Sequence, residues 1–155
     1  LLYTIPSIAL FVLMPLILGT SIISPVNVLV ALTIYTMALM VRSGVDAFNA
    51  VPEHVVESSR ALGYTPARAF FTVELPLALP VLFAGIRVAT VANIAMVSVG
   101  AVIGVSSLGT LFTDGLARSI PAELITGVVL SAVLAYLADA LLALTARRLT
   151  AWRTA

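Results

Sequence analysis

Residues 57–76 read ESSRALGYTPARAFFTVELP, and the fold turns on what this stretch is taken to be. It carries Glu57, Arg60, Arg68 and Glu74, so it does not read as a segment immersed in hydrocarbon. Apolar runs lie on both sides of it: Leu1–Leu18 and Val26–Val41 before, Leu77–Val105 and Leu124–Ala146 after. A polar insert hung between such runs is expected to be a docking surface for something in the aqueous phase.

Working outward, the whole chain obeys the same contrast. Of 155 residues, 61% are hydrophobic and 10% charged, with mean hydropathy +1.17. Soluble domains are about 45–50% apolar and about 25% charged, so the composition is that of an integral membrane protein. Long unbroken apolar runs exclude a β-barrel, whose strands alternate over short segments. The expected fold is an all-α polytopic bundle, with 1–155 as one transmembrane domain. About four to five spans are expected within it, four of them marked by these runs. The chain enters an apolar run at Leu1 without a basic leader or a small-residue cleavage site, so a preceding N-terminal span is expected to be missing.

Charge and reactive residues narrow the chemistry. Net charge is +1, with eight Arg and no Lys; without Lys there is no P-loop. The absence of Cys removes disulfides and thiolate sites, and the single His54 has no second His or Cys beside it. No catalytic residue, no metal site and no resident cofactor are expected.

Arginine distribution orients the bundle. Arg42, Arg60 and Arg68 fall in the insert, and Arg147, Arg148 and Arg153 in the tail. Only Arg118 falls in the link from Ser106 to Glu123, and none in the link from Gly19 to Pro25. By the positive-inside rule the insert (43–76) and the C-terminus are expected on the cytoplasmic side.

Within the insert, Pro52 suits a first helical position and Glu53 a helix N-terminus. His54–Leu62 then reads as a short helix ended by Gly63 in the left-handed conformation. Val55, Ser59 and Leu62 are expected on one face, with Glu53, Glu57 and Arg60 largely on the other. Thr65-Pro66 starts a second short helix over Ala67–Val73, which Leu75-Pro76 is expected to stop. The result is a helix–glycine–helix elbow with small Ser58, Ser59 and Ala61 near its middle.

Glu57-Ser58-Ser59, Gly63 six residues after the Glu, and Val73-Glu74-Leu75-Pro76 at the close resemble the EAA loop of binding-protein-dependent ABC transporter permeases. Members usually begin Glu-Ala-Ala, so Ser58 and Ser59 depart from the pattern while staying small. The resemblance extends from Thr4-Ile5-Pro6-Ser7 to Val99-Gly100-Ala101-Val102-Ile103-Gly104 and Ser107-Leu108-Gly109. These flanks look most like the osmoprotectant branch, which handles glycine betaine, carnitine and choline.

The resemblance implies a bundle of the type I ABC importer permease kind in a bacterial inner membrane. The elbow residues Glu57, Ser58, Ser59, Arg60, Ala61, Gly63, Leu75 and Pro76 would seat in a groove on a cytoplasmic ATPase, which carries the ATP and magnesium. A second permease subunit, identical or not, and an extracytoplasmic substrate-binding protein would complete the assembly. The same likeness leaves room for another small solute, such as an amino acid. A different class, the secondary transporter, would use Arg87, Asn93 and Asp139 as its working groups.

Arg87 and Asp139 are the charged residues inside the apolar runs, and Asn93 lies in the third of them. A charge there marks a pathway or a partner; Arg87 is expected to pair with Asp139 or Glu74, or to snorkel. Asn93 fits either pore lining or helix–helix bonding. Gly100 and Gly104 form a G-x-x-x-G pattern suited to close helix packing. Phe11, Tyr35, Phe83 and Tyr136 are too scattered to form an aromatic cage for a quaternary ammonium.

Overall fold

The computed structural model describes residues 7–150; Thr4, Ile5, Pro6, Trp152 and Arg153 lie outside them. The described residues are helical and contain no strand. Helix α1 spans Ser7–Leu18, α2 Pro25–Asn49 and α3 Glu53–Ala61. A short α4, Pro66–Ala69, passes through a π-helical turn at Phe70–Glu74 into α5, Leu75–Val99. A 3₁₀ turn at Gly100–Ile103 follows, then α6, Thr110–Ala117, and α7, Pro121–Leu149.

Three helices are long and apolar enough to cross a membrane: α2, the continuous stretch Pro66–Ile103, and α7. The fourth expected crossing is the first run, of which α1 is 12 residues. That is about 18 Å at helical rise, and the remainder of the run lies outside the described residues.

Helices α2 and α5 form an antiparallel pair along most of their length. Val28 meets Gly100 and Ser43 meets Gly85, while midway between them Asn93 Nδ2 donates to Thr36 Oγ1 at 2.7 Å. The hydrophobic core lies at one end of this pair, where Phe11 and Met14 of α1 pack with Val28, Ala31, Leu32 and Val105. Buried Asn27 anchors the α1–α2 link at the same end: its Nδ2 donates to Ser21 O at 2.8 Å, and Thr20 Oγ1 donates to its Oδ1. Most of α7 is uncovered, with Ile125, Val128, Val129, Val133, Leu137 and Leu141 exposed, as befits a helix facing lipid or another subunit.

Several boundaries differ from those expected of the sequence. The second span does not end at Arg42, because nothing breaks the helix before Asn49. Arg42 and Asp46 sit one turn apart at 4.0 Å on an exposed face, so the charges turn outward without stopping the helix. The insert 43–76 therefore begins as a continuation of α2.

Nor does Leu75-Pro76 stop a helix. A proline ring clashes with the carbonyl four residues back, and here the turn ahead of it is widened: Leu75 N–H bonds Phe70 O, five residues back. The π-helical turn carries the chain past Pro76 without a break.

The G-x-x-x-G face also fails to form as a helix surface. Gly100 lies in the 3₁₀ turn and Gly104, at φ 88°, terminates it. Gly104 N–H bonds Ala101 O and Val105 N–H bonds Gly100 O, the paired bonds of a Schellman ending. Only Gly100 makes a close approach, a β-carbon there falling 3.3 Å from Val28 Cγ2. The link Ser106–Glu123 contains α6, which packs on α7 where Gly127 meets Leu111 and Phe112.

Candidate functional site

Two places gather the chemistry-bearing residues: the elbow between α2 and α5, and a charged pair between α5 and α7. The elbow forms as its sequence dictates. Pro52, expected at the first helical position, is instead the N-cap of α3, and Glu53 opens the helix one residue later. Gly63 takes φ 82°; its N–H bonds Arg60 O at 2.9 Å, and Tyr64 N–H bonds Ser59 O at 3.2 Å. This is again a Schellman ending, and the left-handed conformation it demands is cheap for glycine alone. Thr65 then caps the next helix, its Oγ1 accepting from Arg68 N–H at 3.4 Å, with Pro66 following.

The expected faces of α3 are partly realised. Ser59 is buried and its Oγ donates to Val56 O at 2.7 Å. Ser58 Oγ donates to His54 O at 2.6 Å. Glu53, Glu57, Ser58, Arg60, Ala61 and Gly63 are exposed. Leu62, expected on one face with Val55 and Ser59, is instead 78% exposed, as the C-cap beyond the last helical residue Ala61. Among the described residues Glu57 and Arg60 form no ion pair with each other, so both charges remain available. Leu75 and Pro76 are half-buried at the base of α5.

An aromatic cluster beneath the elbow ties it to the bundle. Phe48 near the end of α2 stacks on Phe70 at 5.5 Å between ring centroids, and Phe70 meets Phe71 edge-on at 5.1 Å. The Arg68 guanidinium covers the Tyr64 ring at 4.5 Å, a cation–π contact just after the glycine bend. Sequence reasoning missed this cluster, since Phe48 and Phe70 are joined only by the fold.

Within the bundle, Arg87 pairs with Asp139 and not with Glu74. Nε donates to Oδ1 at 2.7 Å and Nη2 to Oδ2 at 2.6 Å, the side-on bidentate arrangement. The side chains keep 40% and 31% exposure, opening on a groove of about 510 Å³ lined by Ala84, Val88, Val91 and Ala92. A larger groove of about 1070 Å³ between α2 and α5 shares Ala84 and Val88 with it and ends at Arg42, Ser43 and Asp46. Asn93 is not among the lining residues of either groove; its bond to Thr36 makes it a link between helices. Phe11 is buried in the core and Tyr136 is 72% exposed on the outside of α7, so no aromatic cage assembles from them. Among the described residues no group of His, Asp or Glu side chains could hold a metal ion.

A family model described as the binding-protein-dependent transport system inner membrane component matches residues 1–151. The osmoprotectant import permease protein OsmW of Salmonella typhimurium is 41% identical over 92% of this chain and 67% of its own length. The glycine betaine/carnitine/choline transport system permease protein OpuCB of Bacillus subtilis is 32% identical over 95% of this chain and 66% of its own. The ergothioneine transport permease/ergothioneine binding protein EgtU of Helicobacter pylori is 37% identical over 89% of this chain but only 24% of its own length. A solved structure of the MetNI methionine ABC transporter in an inward-facing conformation contains a chain that superposes with TM-score 0.84 and 28% identity. That match covers 96% of this chain and 71% of the other. The chain thus spans about two thirds of the length of OsmW and OpuCB, and about a quarter of that of EgtU.

Proposed function

The chain belongs to the family of inner membrane components of binding-protein-dependent transport systems, and on that premise we propose that it is the transmembrane subunit of an ATP-driven importer. It forms part of a pathway for a small osmoprotectant of the glycine betaine, carnitine and choline class, and ATP is hydrolysed by a separate subunit that holds the magnesium. The observation that carries this is the exposed α3–Gly63 elbow at the foot of a continuous helix. A carrier driven by a proton or sodium gradient has no use for such a dock, with its exposed Glu57 and Arg60 and small Ser58 and Ala61.

The names of the relatives support the solute class: osmoprotectant import for OsmW and glycine betaine, carnitine and choline for OpuCB. In the proposed cycle, closure of two ATPase subunits draws the two elbows of a permease dimer together. The aromatic cluster Phe48–Phe70 and the helix Pro66–Ile103 carry that displacement towards the grooves beside α5. Solute arrives from an extracytoplasmic binding protein.

Replacing Gly63 by Val and measuring co-purification of the ATPase tests the dock. Loss of the ATPase from a permease that still inserts is the expected result. If the ATPase stays bound and uptake stays coupled to hydrolysis, the elbow is not the dock. Uptake that follows an ion gradient without any ATPase would overturn the importer reading altogether.

A further inference from the structure

A charged pair in hydrocarbon is expensive and is found where it is enclosed or where it is used. Arg87 lies about midway along α5, and its pairing with Asp139 joins two membrane-length helices. A pair serving only as a staple is best sealed between them. This one is open on one side, facing a groove whose other lining residues, Ala84, Val88, Val91 and Ala92, are small and apolar. The guanidinium spends Nε and Nη2 on Asp139 and leaves Nη1 without a partner among the described residues. The carboxylate spends one bond on each oxygen, and each oxygen has a further lone pair.

We propose that Arg87 and Asp139 form a transient site for a zwitterionic solute, its carboxylate received by the Arg87 guanidinium and its cationic nitrogen by Asp139. This rests on the importer reading and specifies how its pathway handles charge. A lone cation entering the groove can reach Asp139 only in competition with Arg87, and it adds a net charge to an apolar cavity. A lone anion meets the converse problem. A solute carrying both signs exchanges one ion pair for two and leaves the groove neutral, so desolvation is compensated on both partners at once. Glycine betaine, carnitine, ergothioneine and methionine all carry a carboxylate with a positively charged nitrogen; choline has the nitrogen alone. The continuity of this groove with the larger one at Ala84 and Val88 provides a route by which the solute reaches the pair and leaves it.

The test uses the complete transporter, with its ATPase and binding protein, in proteoliposomes. ATP-driven uptake of glycine betaine and of choline is compared for the wild type and for the double variant Arg87→Gln/Asp139→Asn. That variant keeps an amide–amide hydrogen bond between α5 and α7, and its assembly is checked by recovery of the intact complex. The expected result is at least a tenfold fall in the betaine-to-choline uptake ratio. An unchanged ratio, with both rates falling together or neither falling, overturns the proposal and makes the pair a staple only. The single variant Arg87→Lys keeps the charge but not the fork, and is expected to lower the ratio by an intermediate amount. Wild-type uptake that needs no ATPase would remove the importer reading, while the same ratio would still decide the site.

Discussion

Gly85 of α5 lies so close to Ser43 of α2 that a β-carbon on residue 85 would fall 2.5 Å from Ser43 Cβ. Both partners are small, and the contact belongs to the same antiparallel register as Asn93–Thr36. In hydrocarbon, where apolar side chains gain nothing by leaving lipid, such close backbone approach is a main source of helix association. Because the clash would be with a β-carbon, no rotamer change relieves it. Gly85→Ala should therefore push the helices apart and destabilise the bundle by about 1–3 kcal/mol. A lowered melting temperature of the detergent-purified protein checks this, and Ser43→Gly in the same chain should restore part of the loss.

Gly63 presents the opposite case, since a β-carbon there meets nothing within 4 Å and the only cost is the left-handed backbone at φ 82°. The penalty for an L-residue in that conformation is about 1–2 kcal/mol, and it is smaller for Asn. ATPase association should therefore fall in the order Gly, Asn, Ala, Val at position 63, as read by co-purified ATPase per permease. A ranking by side-chain volume alone, with Asn below Ala, would contradict a conformational origin.

Asn93→Leu removes the bond to Thr36 Oγ1, but Thr36 still donates to Leu32 O at 2.7 Å, so no polar group is stranded. Interhelical bonds of this kind in membranes are worth about 0.6 kcal/mol on average. The expected loss of stability is of that size, and solute selectivity should be unchanged. A selectivity change would return Asn93 to the pathway.

The chain has no cysteine, so single cysteines report topology without background. Ala61 and Arg118 are both exposed, in segments separated by one crossing, Pro66–Ile103. With the insert cytoplasmic and the permease expressed without its ATPase, Arg118→Cys should react with an impermeant maleimide added outside intact cells, and Ala61→Cys only after permeabilisation. The reverse pattern would invert the bundle.

The elbow was legible in the sequence because its signals are local: Pro52-Glu53, Gly63 and Thr65-Pro66 each act within a turn, and the structure places them within one residue of the expected positions. The Arg87–Asp139 pair was half legible, since scarcity left only Asp139 or Glu74 as partners. The helix ends were not. Leu75-Pro76 carries a stop signal that the π-helical turn cancels, and Gly100-x-x-x-Gly104 carries a packing signal that the 3₁₀ turn cancels. Ser43–Gly85 and Phe48–Phe70 join residues far apart in the chain, and neither partner is marked by its own neighbours.

The π-helical turn at Phe70–Glu74 amounts to one residue more than a regular helix would use. It offsets the angular phase of everything before it from everything after it by about 100°, one residue's rotation in a helix of 3.6 residues per turn. The foot of the long helix Pro66–Ile103 and its intramembrane shaft thus obey separate periodicities, and the face that meets the elbow is chosen independently of the face that meets α2. Deleting a single residue from this turn would unite the two phases and aim the elbow in a new direction while sparing every contact along α5.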